Sequence, residues 1–237
     1  MAALNLQTPD LPNQLNSTLF KNNGNSGYVL KPESMTKLNN KFDPFEVDRS
    51  ENAMTLTINI RIISGQLFCL LSDKTPLSIY VEVDLYGLPK DTHKCIYRTS
   101  TQTIDGLNTV FSEQKPVFST YGGWQITDFP CRLTIEKIFF PELAFLRFAV
   151  YEESKSDLLG QVILQVKNLQ PGHKHLILTN EFNKPIGPVS LFVYFDVKNF
   201  KETSKNKNRP KIEVLSKEGV KYWHFKLKQS MSGPDNK

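Results

Sequence analysis

Met54-Thr-Leu-Thr-Ile-Asn-Ile-Arg-Ile62 decides the fold. Leu56, Ile58, Ile60 and Ile62 fall on one face of an extended chain, and Thr55, Thr57, Asn59 and Arg61 fall on the other. Successive side chains of a strand point to opposite faces, so this alternation predicts a half-buried antiparallel strand. Ile79, Val81, Val83 and Leu85 repeat the pattern, as do Leu146, Phe148 and Val150. Further strands are expected at His93–Thr101, Gly160–Val166, His173–Leu178 (an edge strand) and Val189–Val197. Short strands separated by Gly-Leu-Pro, Asp-Gly and Pro-Gly turns predict an all-β sandwich. No segment shows a long, capped helical pattern.

Upstream of this sandwich the composition changes. Residues 33–53 are polar and contain proline, as a linker would. Leu4–Thr8 reads as a short strand stopped by Pro9. Gly24-Asn-Ser-Gly27 supplies turn positions of positive φ, and Tyr28-Val-Leu30 reads as a short buried segment ended by Pro32. This leading stretch is too small to fold alone.

The order of residues carries more than the pattern does. Gln7-Thr-Pro9, Phe20, Asn23-Gly-Asn-Ser-Gly-Tyr-Val-Leu-Lys-Pro32 and Phe42-Asp-Pro-Phe45 resemble phosphoinositide-specific phospholipase C, at the close of the Y half of its barrel. The likeness continues through Ile62-Ile-Ser-Gly-Gln66, Tyr80-Val-Glu-Val-Asp-Leu-Tyr-Gly-Leu-Pro89, Pro141-Glu-Leu-Ala-Phe-Leu-Arg-Phe148 and Gly160-Gln161. These are set as in that family's C2 domain, and Asp91-Thr92 after Pro89 points to the beta class. The resemblance covers about residues 1–198. It implies a mainly β chain: a fragment of a (β/α)8-type barrel at 1–32, a linker at 33–53, an antiparallel C2-type sandwich at 54–198 and an irregular basic tail at 199–237. Between Phe118 and Lys137 the family pattern is interrupted by Ser119–Thr134, an insertion containing Tyr121-Gly-Gly-Trp124. A longer surface loop or retained intron sequence is expected there, with a membrane-touching aromatic loop as the weaker alternative.

The chain has 237 residues, long enough to bury a core. No apolar run reaches the length of a membrane span, and no secretory leader is visible. Cys69, Cys95 and Cys131 are odd in number and widely spaced, which suits reduced thiols better than disulfides or zinc. Of 29 Lys/Arg and 24 Asp/Glu, eleven and four lie from Lys198 onward, so the tail carries +7 and the remainder −2. A solvated basic tail is expected, with contact to an anionic lipid surface as the alternative; nucleic acid is not expected as a partner.

The chemistry that the family implies is phosphodiester cleavage by two histidines and a calcium ion held by carboxylates. None of the four histidines, His93, His173, His175 and His224, sits in the family's catalytic motif. No cysteine has a partnered histidine motif, and no phosphate loop occurs. No catalytic or cofactor-binding residue is therefore expected in this chain. Calcium on the sandwich loops would need several converging carboxylates. Only Asp73, Glu152, Glu153 and Asp157 are candidates, and the family's Asp-Pro-Tyr is replaced by Thr75-Pro-Leu-Ser78.

In the beta class a helix with an Ala-x-x-Asn-Pro-Ile-like motif follows the C2 domain and engages a Gq-type α subunit. This chain offers Asn206-Lys-Asn-Arg-Pro210 and Lys221-Tyr-Trp-His-Phe-Lys226 instead. The resemblance thus implies part of an enzyme hydrolysing phosphatidylinositol 4,5-bisphosphate in signal transduction. The implied partners are the rest of the X/Y barrel and a phosphoinositide membrane surface, and the expected location is cytoplasmic and peripheral at membranes. The rival reading is a standalone C2 module acting as a lipid- or protein-binding adaptor.

Overall fold

The computed structural model describes residues 4–36, 42–45, 54–73, 76–104, 106–111 and 133–201. All lie in one compact unit, Met1–Glu202. Two helices come first, α1 (Leu11–Lys21) and α2 (Glu33–Thr36). Ten strands follow: β1 (Met54–Gln66), β2 (Leu77–Tyr86), β3 (His93–Arg98), β4 (Gln102–Ile104), β5 (Asn108–Val110), β6 (Leu133–Ile138), β7 (Phe145–Glu152), β8 (Leu158–Gln165), β9 (Gly172–Thr179) and β10 (Pro185–Lys201).

The strands form one hydrogen-bonded path, β3-β2-β7-β8-β9-β10-β1-β5, with β4 added to β2 and β6 to β1. Every pairing is antiparallel. The path folds over at its weakest joint, where β8 and β9 share the single pair Gln161↔Thr179. Phe148 of β7 and Phe195 of β10 then meet edge-on at 6.0 Å, although two strands separate them along the path. That contact places the core between two facing halves, the layout of the C2-type sandwich that the resemblance implies.

Leu56, Ile58, Ile60 and Ile62 of β1 are buried as the alternation predicts, and Arg61 is exposed. Asn59 on the other face is buried as well, donating to Asp196 at 3.1 Å and accepting from Thr134 at 2.8 Å. A register shift between Ile62 and Ser64 marks a bulge. Directly after it the Phe68 ring lies so close to Gly65 that a Cβ there would stand 2.1 Å from a ring carbon. Only glycine fits that crossing.

Several expectations for the leading segment are corrected. Leu4–Thr8 is a turn, not a strand: the Thr8 amide donates to the Asn5 carbonyl at 3.2 Å, and the Asn13 side chain donates to the carbonyls of Asn5 and Thr8. No strand among the described residues lies beside it to supply a ladder. A capped helix follows where none was expected. Asp10 caps α1 by accepting from the Asn13 amide at 3.1 Å, and Pro12 sits in its first turn. Tyr28 and Leu30, expected to be buried, are 83% and 89% exposed. The expected edge strand, β9, is interior to the path. Of the insertion at 119–134, only Leu133 and Thr134 lie within the described residues, in β6. Tyr121 and Trp124 lie outside them, as does the tail from Glu202 onward.

Candidate functional site

The leading segment is joined to the sandwich along a polar seam. The buried residues of α1 are Gln14 and Thr18, both polar. Each turns a hydrogen bond inward: Gln14 Nε2 donates to the Pro9 carbonyl and Thr18 Oγ1 to the Gln14 carbonyl, both at 2.9 Å. At the C-terminal end of α1, Asn22 Nδ2 donates to Gln165 Oε1 of β8 at 2.6 Å. Gln165 in turn donates from Nε2 to the Glu142 carbonyl at 3.2 Å. Near its N-terminal end, Asn183 of the β9–β10 hairpin donates to the Gln14 carbonyl at 3.0 Å. Both ends of α1 are thus pinned to the sandwich. Beyond α1 the chain turns through Gly24 (φ 60°), Asn25 (φ 57°) and Gly27 (φ 80°), the left-handed positions that the two glycines predict. On either side of α1, Leu6 (79% exposed), Tyr28 and Leu30 stand in solvent. Exposed apolar groups gathered in one short segment mark a contact surface better than scattered ones do.

A second feature lies on the outer face of β2, β7 and β8. Asp84 and Arg147 are opposite one another in the β2–β7 ladder, and Arg147 Nη1 meets Asp84 Oδ2 at 2.9 Å. Their side chains are only 6% and 12% exposed. Arg147 also donates from Nε to Gln161 Oε1 at 2.7 Å and from Nη1 to the Tyr151 hydroxyl at 3.2 Å, while Tyr86 donates to Asp84. Tyr80 stacks on Tyr151 at 5.5 Å, and the Arg98 guanidinium sits 3.5 Å from the Tyr80 ring centre. These rings shield the ion pair and keep this face dry. Burial pushes the Tyr86 and Tyr151 hydroxyls up, with Asp84 adding to both. Burial alone would weaken the charge on Arg147, but Tyr151 and Asp84 outweigh it and hold the guanidinium protonated. Gln161 Nε2, a buried donor, lacks a hydrogen-bond partner among the described residues. The Asp84–Arg147 pair and the Tyr86 and Tyr151 hydroxyls are engaged by their neighbours, and the network fixes the sheet.

The calcium candidates do not converge. Asp73 is exposed. Glu152 is buried and accepts from Ser154 Oγ at 2.6 Å. Glu153 is held by Arg98 Nη2 at 2.9 Å and Thr101 Oγ1 at 2.8 Å. Asp157 is exposed, its carbonyl accepting from the Glu152 amide. Among the described residues, no three His, Cys, Asp or Glu side chains come together in a way that could hold a metal ion.

The remaining acids and histidines are spread over the fold. Asp91 is buried and accepts the amides of Phe139 and Phe140, each at 3.0 Å. Burial raises its pKa against the pull of those two amides. The Asp91 carboxylate anchors a loop whose Phe140 packs edge-on against Phe42 of the linker at 5.4 Å. His93 opens β3, His173 and His175 lie on β9, and His224 is outside the described residues. Cys69 is exposed, Cys95 lies in β3 and Cys131 is outside the described residues. No helix among the described residues is long and apolar enough to cross a membrane.

Residues 1–34 match the family described as phosphatidylinositol-specific phospholipase C, Y domain. The chain is 40% identical over 200 residues to a Bos taurus 1-phosphatidylinositol 4,5-bisphosphate phosphodiesterase beta-4, covering 84% of this chain and 17% of the relative. It is likewise 40% identical over 198 residues to a Drosophila melanogaster 1-phosphatidylinositol 4,5-bisphosphate phosphodiesterase, covering 84% and 16%. Among solved structures, L. pealei PLC21 superposes with a TM-score of 0.71 at 34% identity, covering 86% of this chain and 23% of that one. The chain spans less than a fifth of the length of these curated relatives.

Proposed function

We propose that this chain, which belongs to the beta-type phosphoinositide-specific phospholipase C family, acts as the non-catalytic closure of such an enzyme. Its leading segment completes the Y half of the barrel, and its sandwich braces that segment. The observation that carries this reading is the division of labour around α1. The helix turns Gln14 and Thr18 inward and is pinned to the sandwich, while Leu6, Tyr28 and Leu30 are left open for an apolar neighbour. The rest of the X/Y barrel is the neighbour proposed. Hydrolysis of phosphatidylinositol 4,5-bisphosphate to diacylglycerol and inositol trisphosphate, with its calcium ion and histidines, belongs to that other part. The complete enzyme works in the cytoplasm, peripherally at a phosphoinositide membrane. A Gq-type α subunit is the regulator the family suggests, but Asn206–Pro210 lacks the matching motif, so no such contact is assigned to this chain.

The test has two arms. The purified chain, given calcium and vesicles containing phosphatidylinositol 4,5-bisphosphate, is expected to release no inositol trisphosphate; cleavage would overturn the non-catalytic reading. Co-expressed with a beta-type relative lacking the corresponding segment, the chain is expected to restore calcium-dependent hydrolysis, and the Tyr28→Ser, Leu30→Ser double variant to fail. Equal restoration by that variant would remove the barrel-closing role.

A further inference from the structure

The outer face of β9 and β10 carries a pair of histidines that the proposed enzyme does not use. Alternation along β9 buries Leu176 and Leu178 and leaves His173, His175 and Ile177 exposed. The two histidines therefore stand on one face, one residue apart, at the spacing of roughly 7 Å that two rises of a strand give. Both imidazoles rest on the same ring: Phe192 lies 4.6 Å from His175 and 5.5 Å from His173. Tyr194 adds a second aromatic contact to His173 at 4.9 Å. The register explains the arrangement, because Phe192 is directly opposite His175 and Tyr194 directly opposite His173. Among the described residues, no hydrogen bond or ion pair engages either imidazole, so their ring nitrogens are available. Lys174, between them, belongs to the alternate set of positions. Arg61 lies opposite Tyr194 in the β1–β10 ladder, on the same face as His173.

We propose that His173 and His175 form a two-imidazole chelate for a divalent transition-metal ion of the copper, nickel or zinc class. Neutral imidazole nitrogen is a ligand suited to these ions and poorly suited to calcium or magnesium, which take oxygen. Two donors on one strand face need only rotate about their side-chain bonds to reach a common ion at about 2.0–2.1 Å, with water completing the sphere. Contact of both imidazoles with the one Phe192 ring keeps the two side chains on the same part of this face. This site is separate from any calcium ion that the parent family employs, and it holds whether or not the chain closes a barrel.

Titration of the full chain with copper, nickel or zinc chloride by calorimetry tests the proposal, alongside electron paramagnetic resonance of the copper-loaded protein. One ion per chain is expected, with nitrogen couplings from two imidazoles. His173→Ala and His175→Ala are each expected to weaken binding about tenfold or more, at least what losing a supporting contact costs a metal site. His93→Ala and His224→Ala are expected to leave it unchanged. Both histidines of the pair are exposed, so their replacement leaves the sandwich folded, and an unchanged calcium titration serves as the oxygen-ligand control. Undiminished binding in His175→Ala, loss of binding in His224→Ala, or the absence of any nitrogen coupling would each overturn the assignment.

Discussion

The sandwich and the segment that leads into it treat apolar residues in opposite ways. Within the sandwich, Ile58, Ile79, Phe148 and Leu191 are wholly buried by the chain's own strands. In the leading segment the buried residues of α1 are Gln14 and Thr18, and the large apolar groups Leu6, Tyr28 and Leu30 face water. The difference separates two kinds of stability. The sandwich makes its own core, whereas the leading segment rests on a polar footing, half-buries Leu15, Leu19 and Phe20, and leaves Leu6, Tyr28 and Leu30 uncovered. On the proposed reading the hydrophobic contribution of those last three is realised only against the rest of a barrel.

The sharpest break of this comparison is Phe148→Ala against Leu6→Ala. Emptying the Phe148 site is expected to cost about 3–5 kcal/mol, while trimming exposed Leu6 should stay within about 0.5 kcal/mol. Urea unfolding of the isolated chain measures both, and equal costs would erase the distinction. Next, Arg147→Met strands the Asp84 carboxylate in a dry face and is expected to cost about 3 kcal/mol or more. Adding Asp84→Leu should recover most of that loss, which a thermal melt of the single and double variants would show. Gly65→Ala drives a methyl into the Phe68 ring and is expected to cost about 1–3 kcal/mol. The smallest effect belongs to the seam. Gln165→Leu removes the acceptor of Asn22 and should loosen α1 by about 1 kcal/mol. Amide exchange would then speed up in residues 11–21 but not in β1 or β10; a uniform increase would mean that seam and sandwich melt as one.

The sandwich was legible because its strands bury one face against each other, so the alternation of β1, β2 and β7 carries its own answer. The leading segment was not. Tyr28, Val29 and Leu30 are apolar, but hydrophobicity states only that a residue belongs against something, and nothing in the described chain covers Tyr28 or Leu30. For α1 the start signal was present in Asp10 and Pro12. Its interior, Asn13-Gln-Leu-Asn-Ser-Thr18, is too polar to draw the apolar stripe by which a helix is usually recognised. The dry network of Asp84, Arg147 and Gln161 needed cross-strand register, which a sequence does not state. Tyr80, Asp84 and Tyr86 alternate outward along β2, and stacking of Tyr80 on Tyr151 makes that face a dry one. The same missing register hid the pairing of His173 and His175 with Phe192.

The long ladder between β1 and β10 has a mechanical consequence. Its first pair, Met54↔Lys201, joins the first residue of β1 to the last residue of β10. Tension arriving through those two neighbouring ends would pull across the ladder, not along it. The pairs from Met54↔Lys201 towards Gln66↔Ser190 would then open one after another, like a zip, each bond bearing the load alone. A sandwich held together by its buried core can therefore yield to a modest force applied at this corner.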